Sequence, residues 1–318
     1  LPVLRWLREK LNRLEFDLPR ALTIIDSIDQ VPEKRRKRVL TLGDYHLIMS
    51  EQARSSADEL ATGAPKFSPD RHGRVHTSVT RLPGILRGCL SFGGEPLISL
   101  DLKNSQPLFL GLVTDEFHSS RQAKHRFLNY TPDSENLYGR HQKGGGAAPL
   151  YFTTTRRNLQ VVDSKEVYGN RLADISAAKN YLAICEQGRL YESLALPDED
   201  RDWLKRRILV DVMYSDNSYE SPVRDRFKQA FPSQWETLAA LKCEKYERAA
   251  WLLQNREARM FIGTICRRIM AEKPELPLFT VHDSLVTTAE HFDFMKQVAL
   301  EEFAKLGVQP SFKRESYV

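Results

Sequence analysis

The chain has 318 residues, of which 41% are hydrophobic and 28% are charged, and its formal net charge is +5. This balance is that of a globular protein and excludes a disordered tail or a collagen-like fibre, while the mild positive charge favours a polyanionic partner. The four cysteines stand singly, without a CxxC pair, which argues against a zinc site and favours a reducing, cytoplasmic setting. No apolar run approaches the roughly 20 residues of a membrane span, so we expect no membrane partner.

The first 69 residues predict a helical N-terminal region. Apolar residues recur at the spacing of an amphipathic helix, beginning with Leu4, Leu7, Leu11 and Leu14. A further helix is predicted from Gly43 to Leu60. A linker follows, because turn-forming residues cluster at Gly63, Pro65, Ser68 and Pro69. We therefore expect a domain boundary at about residue 69.

A short buried strand is predicted at Pro96–Asp101, and it ends in a carboxylate. The next segment, LKNSQPLFLGLV, indicates a turn into a helix, because Pro107 suits a first helical turn. An Asp at the carboxyl end of a core strand is well placed to bind a metal ion, but it would serve equally well as the cap of the following helix. The residues alone leave both interpretations open.

Residues 201–214 predict a strongly basic helix. Arg201 and Lys205 are four residues apart and therefore share one face, and Arg206 and Arg207 follow directly. Acidic partners are few in this segment, so we expect some of these cations to face an anionic ligand. A salt-bridged surface helix is the alternative. The remaining predicted helical regions are Ser233 to Ala271 and Phe292 to Leu306.

The stretch Leu278–Thr288 predicts two short strands that meet at a tight turn, with His282, Asp283 and Ser284 at its tip. A buried Asp is costly unless a cation lies against it, which favours a metal-binding carboxylate that needs a second one from elsewhere. The alternative is a turn residue hydrogen-bonded to its own backbone. The His282-Asp283 pair also suggests an HD-type metal phosphohydrolase, although that family sets the pair on a helix and the β-branched flanks here favour a hairpin.

Four segments, in this order along the chain, resemble motifs of family A DNA polymerases and the related phage-type single-subunit RNA polymerases. GRVHT, at Gly73–Thr77, is similar to the entry to the palm, and Asp101 with Ser105-Gln106 resembles motif A. The other two matches are residues 201–214, which resemble the fingers helix of motif B, and residues 254–288 with VHDS, which resemble the helix and hairpin of motif C.

This resemblance implies an α+β fold built as a polymerase-like palm with a small antiparallel sheet, helical fingers and a helical N-terminal region. The palm would comprise about residues 70–113 and 250–318, and the fingers would be inserted at about residues 114–249. Residues 1–69 would then be a thumb-like or accessory region.

The resemblance also implies roles for individual residues. Asp101 and Asp283 would hold the catalytic Mg²⁺ or Mn²⁺ ions, since two-metal phosphoryl transfer needs carboxylates from distant segments. Lys205 or Arg206 would grip the β- and γ-phosphates of the nucleoside triphosphate. Contacts to the incoming nucleotide or the primer end are implied for Arg201, Tyr214, Gln106, Ser105 and His282. Contacts to the nucleic acid template and primer are implied for Arg74, His76, Arg87 and Gln254.

The sequence departs from the family pattern in motifs A and B. Ser105-Gln106 follows Asp101 two residues later than in the DNA polymerases, and no Glu follows to screen out ribose. Depending on the alignment, Gln106 or Leu108 takes the place of that Glu, so the resemblance leaves both ribonucleotide and deoxyribonucleotide use open. Tyr214 lies one residue too far from Lys205. Counting from Arg206 restores the tyrosine spacing but puts Asp202 where an Arg is expected.

The motifs together predict a template-directed nucleotidyltransferase. Primase or primase-polymerase activity in a replicon or mobile element is slightly favoured over a conventional DNA polymerase without proofreading, and a replication partner such as a helicase would fit that role. The non-enzymatic alternative is an inert nucleic-acid-binding protein on a polymerase scaffold. Such a protein would bind nucleic acid in a salt-sensitive way but no metal at the two carboxylates.

Overall fold

A computed structural model describes residues 1–29, 51–131 and 180–317, and in these ranges the chain is an α+β protein. The labelled α-helices are α1 (Pro2–Leu11), α2 (Leu18–Asp29), α3 (Glu51–Ala61), α4 (Ser78–Arg81), α5 (Ser105–Ser119), α6 (Arg121–Leu128), α7 (Leu190–Leu194), α8 (Arg201–Arg207), α9 (Pro222–Ala230), α10 (Pro232–Lys242), α11 (Glu247–Ala258), α12 (Arg267–Glu272) and α13 (Phe292–Lys305). Residues 180–186 are also helical. Two segments are π-helical, Ile208–Tyr214 and Arg259–Cys266, and two are 3₁₀-helical, Gly84–Cys89 and Ala289–His291.

The strands are β1 (Glu15–Phe16), β2 (Phe67–Pro69), β3 (Val75–Thr77), β4 (Leu90–Phe92), β5 (Glu95–Leu102), β6 (Phe279–Val281), β7 (Ser284–Thr288) and β8 (Phe312–Ser316). The main sheet has the strand order β1-β4-β5-β7-β6, and β8 also pairs with β5. The antiparallel register between β5 and β7 runs from Leu97 opposite Thr288 to Asp101 opposite Ser284. Strands β2 and β3 form a separate antiparallel pair.

The chain divides into two compact units. The sheet unit comprises Leu1–Asp101, Met260–Ala299 and Phe312–Val318, and the helical unit comprises Leu102–Arg259 and Leu300–Ser311. These bounds differ from the predicted domains, because the N-terminal helices belong to the same unit as the strands. The division into palm, fingers and thumb-like regions therefore stays a prediction.

The N-terminal helices are tied to the sheet unit by pairing, hydrogen bonds and a shared core. Strand β1 pairs with β4, and Trp6 Nε1 donates to the Pro274 carbonyl at 2.7 Å. Phe67 lies in the predicted linker, and it pairs with Thr77 in the β2–β3 ladder. Apolar side chains from both regions form one buried cluster, which includes Leu11, Leu14, Ile25, Leu60, Leu90, Leu97, Phe279 and Val286.

Helix α5 is a buried helix of the helical unit. Its residues from Ser105 to Thr114 are all buried, as expected for a helix that is apolar on nearly every side. Phe109 packs against Phe303, with ring centroids 6.2 Å apart, and the Tyr181 hydroxyl donates to the Pro107 carbonyl at 3.1 Å. The predicted turn from a strand into a helix at this point is confirmed.

Two predicted helices differ from the observed ones. The region predicted as helical from Ser233 to Ala271 is interrupted between Lys242 and Glu247, and it contains a π-helical segment. The described part of the helix predicted from Gly43 is Glu51–Ala61, and its first residues lie outside the described ranges. Among the helices that the structure describes, none has the length and apolar character needed to span a membrane.

Candidate active site

The predicted hairpin at Asp283 is confirmed in the sheet unit. Val281 of β6 pairs with Ser284 of β7, so His282 and Asp283 form a two-residue loop between the strands. His282 is exposed and has a φ of 53°, a left-handed conformation that is uncommon for residues other than glycine but enriched for His. Asp283 is half-buried. A loop of this length fixes the hairpin register, and with it the position of the Asp283 backbone.

Asp101 lies near the end of β5, directly opposite Ser284. The Ser284 hydroxyl donates a hydrogen bond to Asp101 Oδ1 across the strands. Directly opposed residues in an antiparallel pair have Cα atoms about 4.5–5.5 Å apart, so the residue preceding Ser284 lies at the same end of the pair as Asp101. The register therefore brings Asp101 and Asp283 to one end of two adjacent strands. Helix α5 has Asn104 as its N-cap, so Asp101 is not the N-cap residue of that helix.

A second His faces the hairpin loop. The rings of His76 and His282 meet edge to face, with centroids 6.1 Å apart. His76 Nε2 lies 2.8 Å from Asp70 Oδ2, and Asp70 Oδ1 accepts from the backbone N–H groups of His72 and Arg74 at 2.8 and 3.0 Å. Desolvation opposes ionisation of Asp70, but the His76 and backbone hydrogen bonds outweigh it and lower the pKa of the carboxyl group. Asp70 thus orients a ring beside the loop that carries Asp283.

Asp70 was not among the predicted site residues. The sequence carries a weak signal for it, since Asp70 and Gly73 are residues that favour a tight turn, and Gly73 has a φ of 89°. Arg74 is half-buried, and its backbone N–H binds Asp70. Arg87 is also half-buried and interacts with the Tyr317 hydroxyl, whose pKa is raised mainly by burial.

The helical unit contains the other predicted motif A residues in a buried polar cluster. Glu257 of α11 is 1% exposed, and it accepts hydrogen bonds from Ser105 Oγ at 2.7 Å and Gln106 Nε2 at 2.6 Å. Bonds to an ionised acceptor are stronger than neutral ones, so this carboxylate fixes the first turn of α5. Gln254, one turn earlier on α11, is half-buried.

The basic helix carries cations of two kinds. Arg201 is paired with Glu192 at 2.5 Å and Arg207 with Asp211 at 2.8 Å, as the surface-helix interpretation predicted. The side chains of Lys205 and Arg206 are exposed and form no ion pair or hydrogen bond with the part of the chain that the structure describes. Within the described ranges, no acidic side chain therefore neutralises these two cations.

The basic helix changes from α to π geometry at Ile208 and ends at Tyr214, which is half-buried. A π-helix bonds residue i to i+5, so one turn holds more residues than an α-helical turn. An extra residue between Lys205 and Tyr214 is therefore absorbed by the wider turn. The predicted spacing conflict between Lys205 and Tyr214 was counted for α-helical turns, whereas the segment between these residues is partly π-helical.

The end of the basic helix is held by Arg224, which is fully buried. Its guanidinium donates to the backbone carbonyls of Asp211 at 2.9 Å, Asn217 at 3.3 Å and Asp216 at 2.7 Å, and also bonds the Tyr219 carbonyl and the Ser215 hydroxyl. Five acceptors around one guanidinium fix the loop that follows Tyr214.

The donor set at the strand ends suits a hard divalent cation. Asp101 and Asp283 supply carboxylate oxygens, and Mg²⁺ is held in many phosphoryl-transfer sites by one or two carboxylates together with substrate phosphates and water. In the described ranges, no group of three or more His, Cys, Asp or Glu side chains is arranged to hold a metal ion. A site of two carboxylates completed by substrate oxygens fits the residues present.

No protein-family model matches the chain, and no curated protein matches it significantly.

Proposed function

We propose that the protein is a template-directed nucleotidyltransferase. One observation carries this proposal: the register that sets Asp101 opposite Ser284 and so brings two carboxylates, from segments about 180 residues apart, to one end of adjacent strands. The buried Ser284 hydroxyl, which donates to Asp101, orients one of these carboxylates.

In this proposal Asp101 and Asp283 hold the catalytic Mg²⁺ or Mn²⁺. The metal would supply charge neutralisation at the phosphates and a lowered pKa for the attacking hydroxyl. The residues of the chain contribute positioning: Ser284 orients Asp101, and His282 and His76 offer exposed imidazole edges for the primer end or its backbone.

Lys205 is the preferred cation for the triphosphate. Its ammonium group is exposed and has no acidic partner among the described residues. The π-helical segment between Lys205 and Tyr214 holds more residues per turn than an α-helix, which supports pairing these two residues in one site. Arg201, by contrast, already pairs with Glu192. Arg206 likewise has no acidic partner among the described residues, and a role in nucleic acid contact suits it better.

Sugar selection is the feature in which the protein would differ from family A DNA polymerases. No Glu follows Gln106, and the carboxylate that meets the Ser105-Gln106 pair comes instead from Glu257. Because that carboxylate is buried and engaged by two donors, we propose that it supports the helix and does not screen the ribose. Ribonucleotide incorporation, and with it primase or primase-polymerase activity, follows from this proposal.

The test is nucleotide incorporation on defined templates, primed and unprimed, with Mg²⁺ or Mn²⁺ and with each nucleotide set separately. The proposal predicts products whose sequence is dictated by the template. Synthesis on unprimed templates with ribonucleotides would identify a primase, and extension of primers with deoxynucleotides alone would identify a conventional DNA polymerase. Template-independent nucleotide hydrolysis, or nucleic acid binding without incorporation, would contradict the proposal.

A further inference from the structure

The outer face of the basic helix carries exposed aromatic and cationic side chains that the proposed chemistry does not use. We define the Trp203 surface as Trp203, Arg206, Arg207 and Val210, together with Tyr219 of the following loop. Trp203, Arg206 and Arg207 are spaced i, i+3 and i+4 on α8, which places them along one face, and Val210 follows in the π-helical segment. The exposed fractions are 40% for Trp203, 54% for Val210 and 38% for Tyr219.

These side chains are not needed for the core of the helical unit. The opposite face of the same segment supplies the core, since Leu204, Ile208, Val212 and Met213 are fully buried. The exposed Trp203 and Val210 side chains leave apolar area that the described part of the chain does not cover. Within the described ranges, this face has no partner in the fold.

The charge on the Trp203 surface is positive. The Arg206 side chain is exposed and forms no ion pair or hydrogen bond within the described ranges. Arg207 forms an ion pair with Asp211. Lys205, also unpaired, adds to the local potential. Excess cations beside aromatic rings favour an anionic partner that also presents flat apolar groups.

Hydrogen bonds fix the backbone at Trp203 and the side chain of Tyr219. Asp200 accepts from the Trp203 backbone N–H at 2.6 Å and so caps α8 at the turn that carries Trp203. The Tyr219 hydroxyl accepts from Arg207 Nη2 at 3.0 Å, and the Tyr219 ring lies 5.4 Å from the buried Arg224 guanidinium. Little conformational freedom of the Tyr219 ring is then lost when a flat group stacks on it.

We propose that the Trp203 surface binds single-stranded nucleic acid, with bases stacked on Trp203 and Tyr219 and with Arg206 contacting the phosphates. Stacking platforms interleaved with cations are the mode by which proteins hold single strands without reading their sequence. An acidic peptide would satisfy the cations but would not use the two rings. The inference concerns binding alone, so it is independent of the chemistry at Asp101 and Asp283.

The experiment measures binding of a short labelled single strand by fluorescence anisotropy, without divalent metal or nucleotide. Trp203→Ala and Tyr219→Ala should each weaken binding by about 5- to 100-fold, the range expected for the loss of one stacked base. Trp203→Phe should retain most of the affinity, because it keeps a ring. Tyr246→Ala, which removes another exposed aromatic of the same unit (46% exposed), is the matched control and should leave binding unchanged.

Two further arms separate stacking from charge. A strand with abasic sugars should bind the wild-type protein weakly. Its affinity for the wild type and for Trp203→Ala should be the same. Arg206→Gln should lower the slope of log affinity against log salt by roughly 0.7, the contribution of one phosphate contact to a single strand. Equal binding of the abasic and normal strands, or unchanged binding by both alanine variants, would overturn the inference. Because this binding is measured without metal or nucleotide, failure of the proposed chemistry remains distinguishable from failure of this inference.

Discussion

Glu257 is a buried carboxylate whose two hydrogen-bond donors come from the first turn of α5. Glu257→Gln would replace the carboxylate oxygen that both donors share by a neutral amide oxygen. Because hydrogen bonds to a neutral acceptor are weaker than those to a carboxylate, we expect the free energy of unfolding to fall by about 1–3 kcal/mol. Urea denaturation at neutral pH measures this loss.

The matched control for Glu257 is Glu244→Gln. Glu244 also accepts from an arginine, Arg248, but its side chain is 75% exposed. Exposed ion pairs contribute about 0–1 kcal/mol, so this substitution should change the unfolding free energy little. Equal effects of the two substitutions would show that the Glu257 cluster does not stabilise α5.

Asp70 provides a pH-dependent contribution to stability. Its pKa is lowered from the ordinary value of 3.8, so the carboxylate stabilises the fold above that pH, and the contribution is lost as the pH falls through the folded-state pKa. Asp70→Asn should lower the free energy of unfolding by about 0.5–1.5 kcal/mol at pH 7, with allowance for a side chain that is 26% exposed. The difference in the free energy of unfolding between Asp70→Asn and the wild type should disappear at acidic pH. A difference that stays constant below pH 3.8 would contradict this assignment.

The residue scale shows what sequence reasoning finds and what it misses. The strand-end position of Asp101 and the hairpin-loop position of Asp283 were predicted correctly, because each residue ends or joins a β-type segment. The pairing of Ser105 and Gln106 with Glu257 was missed because these residues lie about 150 positions apart in the chain, and no local pattern records such a pairing. The role of Asp70 in orienting His76 was missed because its carboxylate also accepts hydrogen bonds from the backbone of a turn. An Asp in a turn is common, so its presence in the sequence does not indicate a second role.

At the scale of elements, two buried cations, Lys242 and Arg224, donate hydrogen bonds to the basic helix and the loop that follows it. Lys242 of α10 is 3% exposed and donates to the Val212 carbonyl in the π-helical segment at 2.5 Å. Desolvation, followed by repulsion from Arg224, lowers the pKa of Lys242 to about 7 from 10.5. The unfolded chain therefore binds more protons than the folded protein between these values, and Lys242 makes stability rise as the pH rises from about 7 toward 10.5.

Lys242→Met should remove the contribution of Lys242 to the pH dependence of stability. Replacing a buried charge by an apolar side chain of similar length should raise the free energy of unfolding by about 1–4 kcal/mol at pH 6, and the gain should shrink toward pH 10. Denaturant unfolding across this pH range measures it, with Lys296→Met as the exposed control. A gain that grows with pH would contradict the assignment.

The elements themselves were predicted unequally well. The hairpin and β5 were predicted from β-branched and apolar runs with clear turn residues. The π geometry of Ile208–Tyr214 was not, because α- and π-helices share the same residue preferences and apolar spacing over so short a segment. The break between Lys242 and Glu247 was missed because it contains no Gly or Pro.

At the scale of the whole molecule, the N-terminal residues are grouped differently from the prediction. Sequence reasoning separated residues 1–69 at a cluster of turn residues, yet β1 and the N-terminal helices pack with the strands of the sheet unit. A two-residue strand such as Glu15–Phe16 has no sequence signature, and its pairing with Leu90–Ser91 depends on tertiary contacts. The α+β class was predicted correctly, and the palm assignment remains part of the proposal.

The central claim is that Asp101 and Asp283 form one metal-dependent site, and template-directed incorporation by Asp101→Asn and Asp283→Asn tests it most directly. Both variants should fold with thermal midpoints close to wild type, because both side chains are only half-buried. Each should lose more than about 100-fold in incorporation rate, since even outer-shell partners of a metal are worth about 10–100-fold. Asp58→Asn, an exposed carboxylate on α3, should retain wild-type activity. Incorporation that is unchanged in either Asp101→Asn or Asp283→Asn would contradict the account.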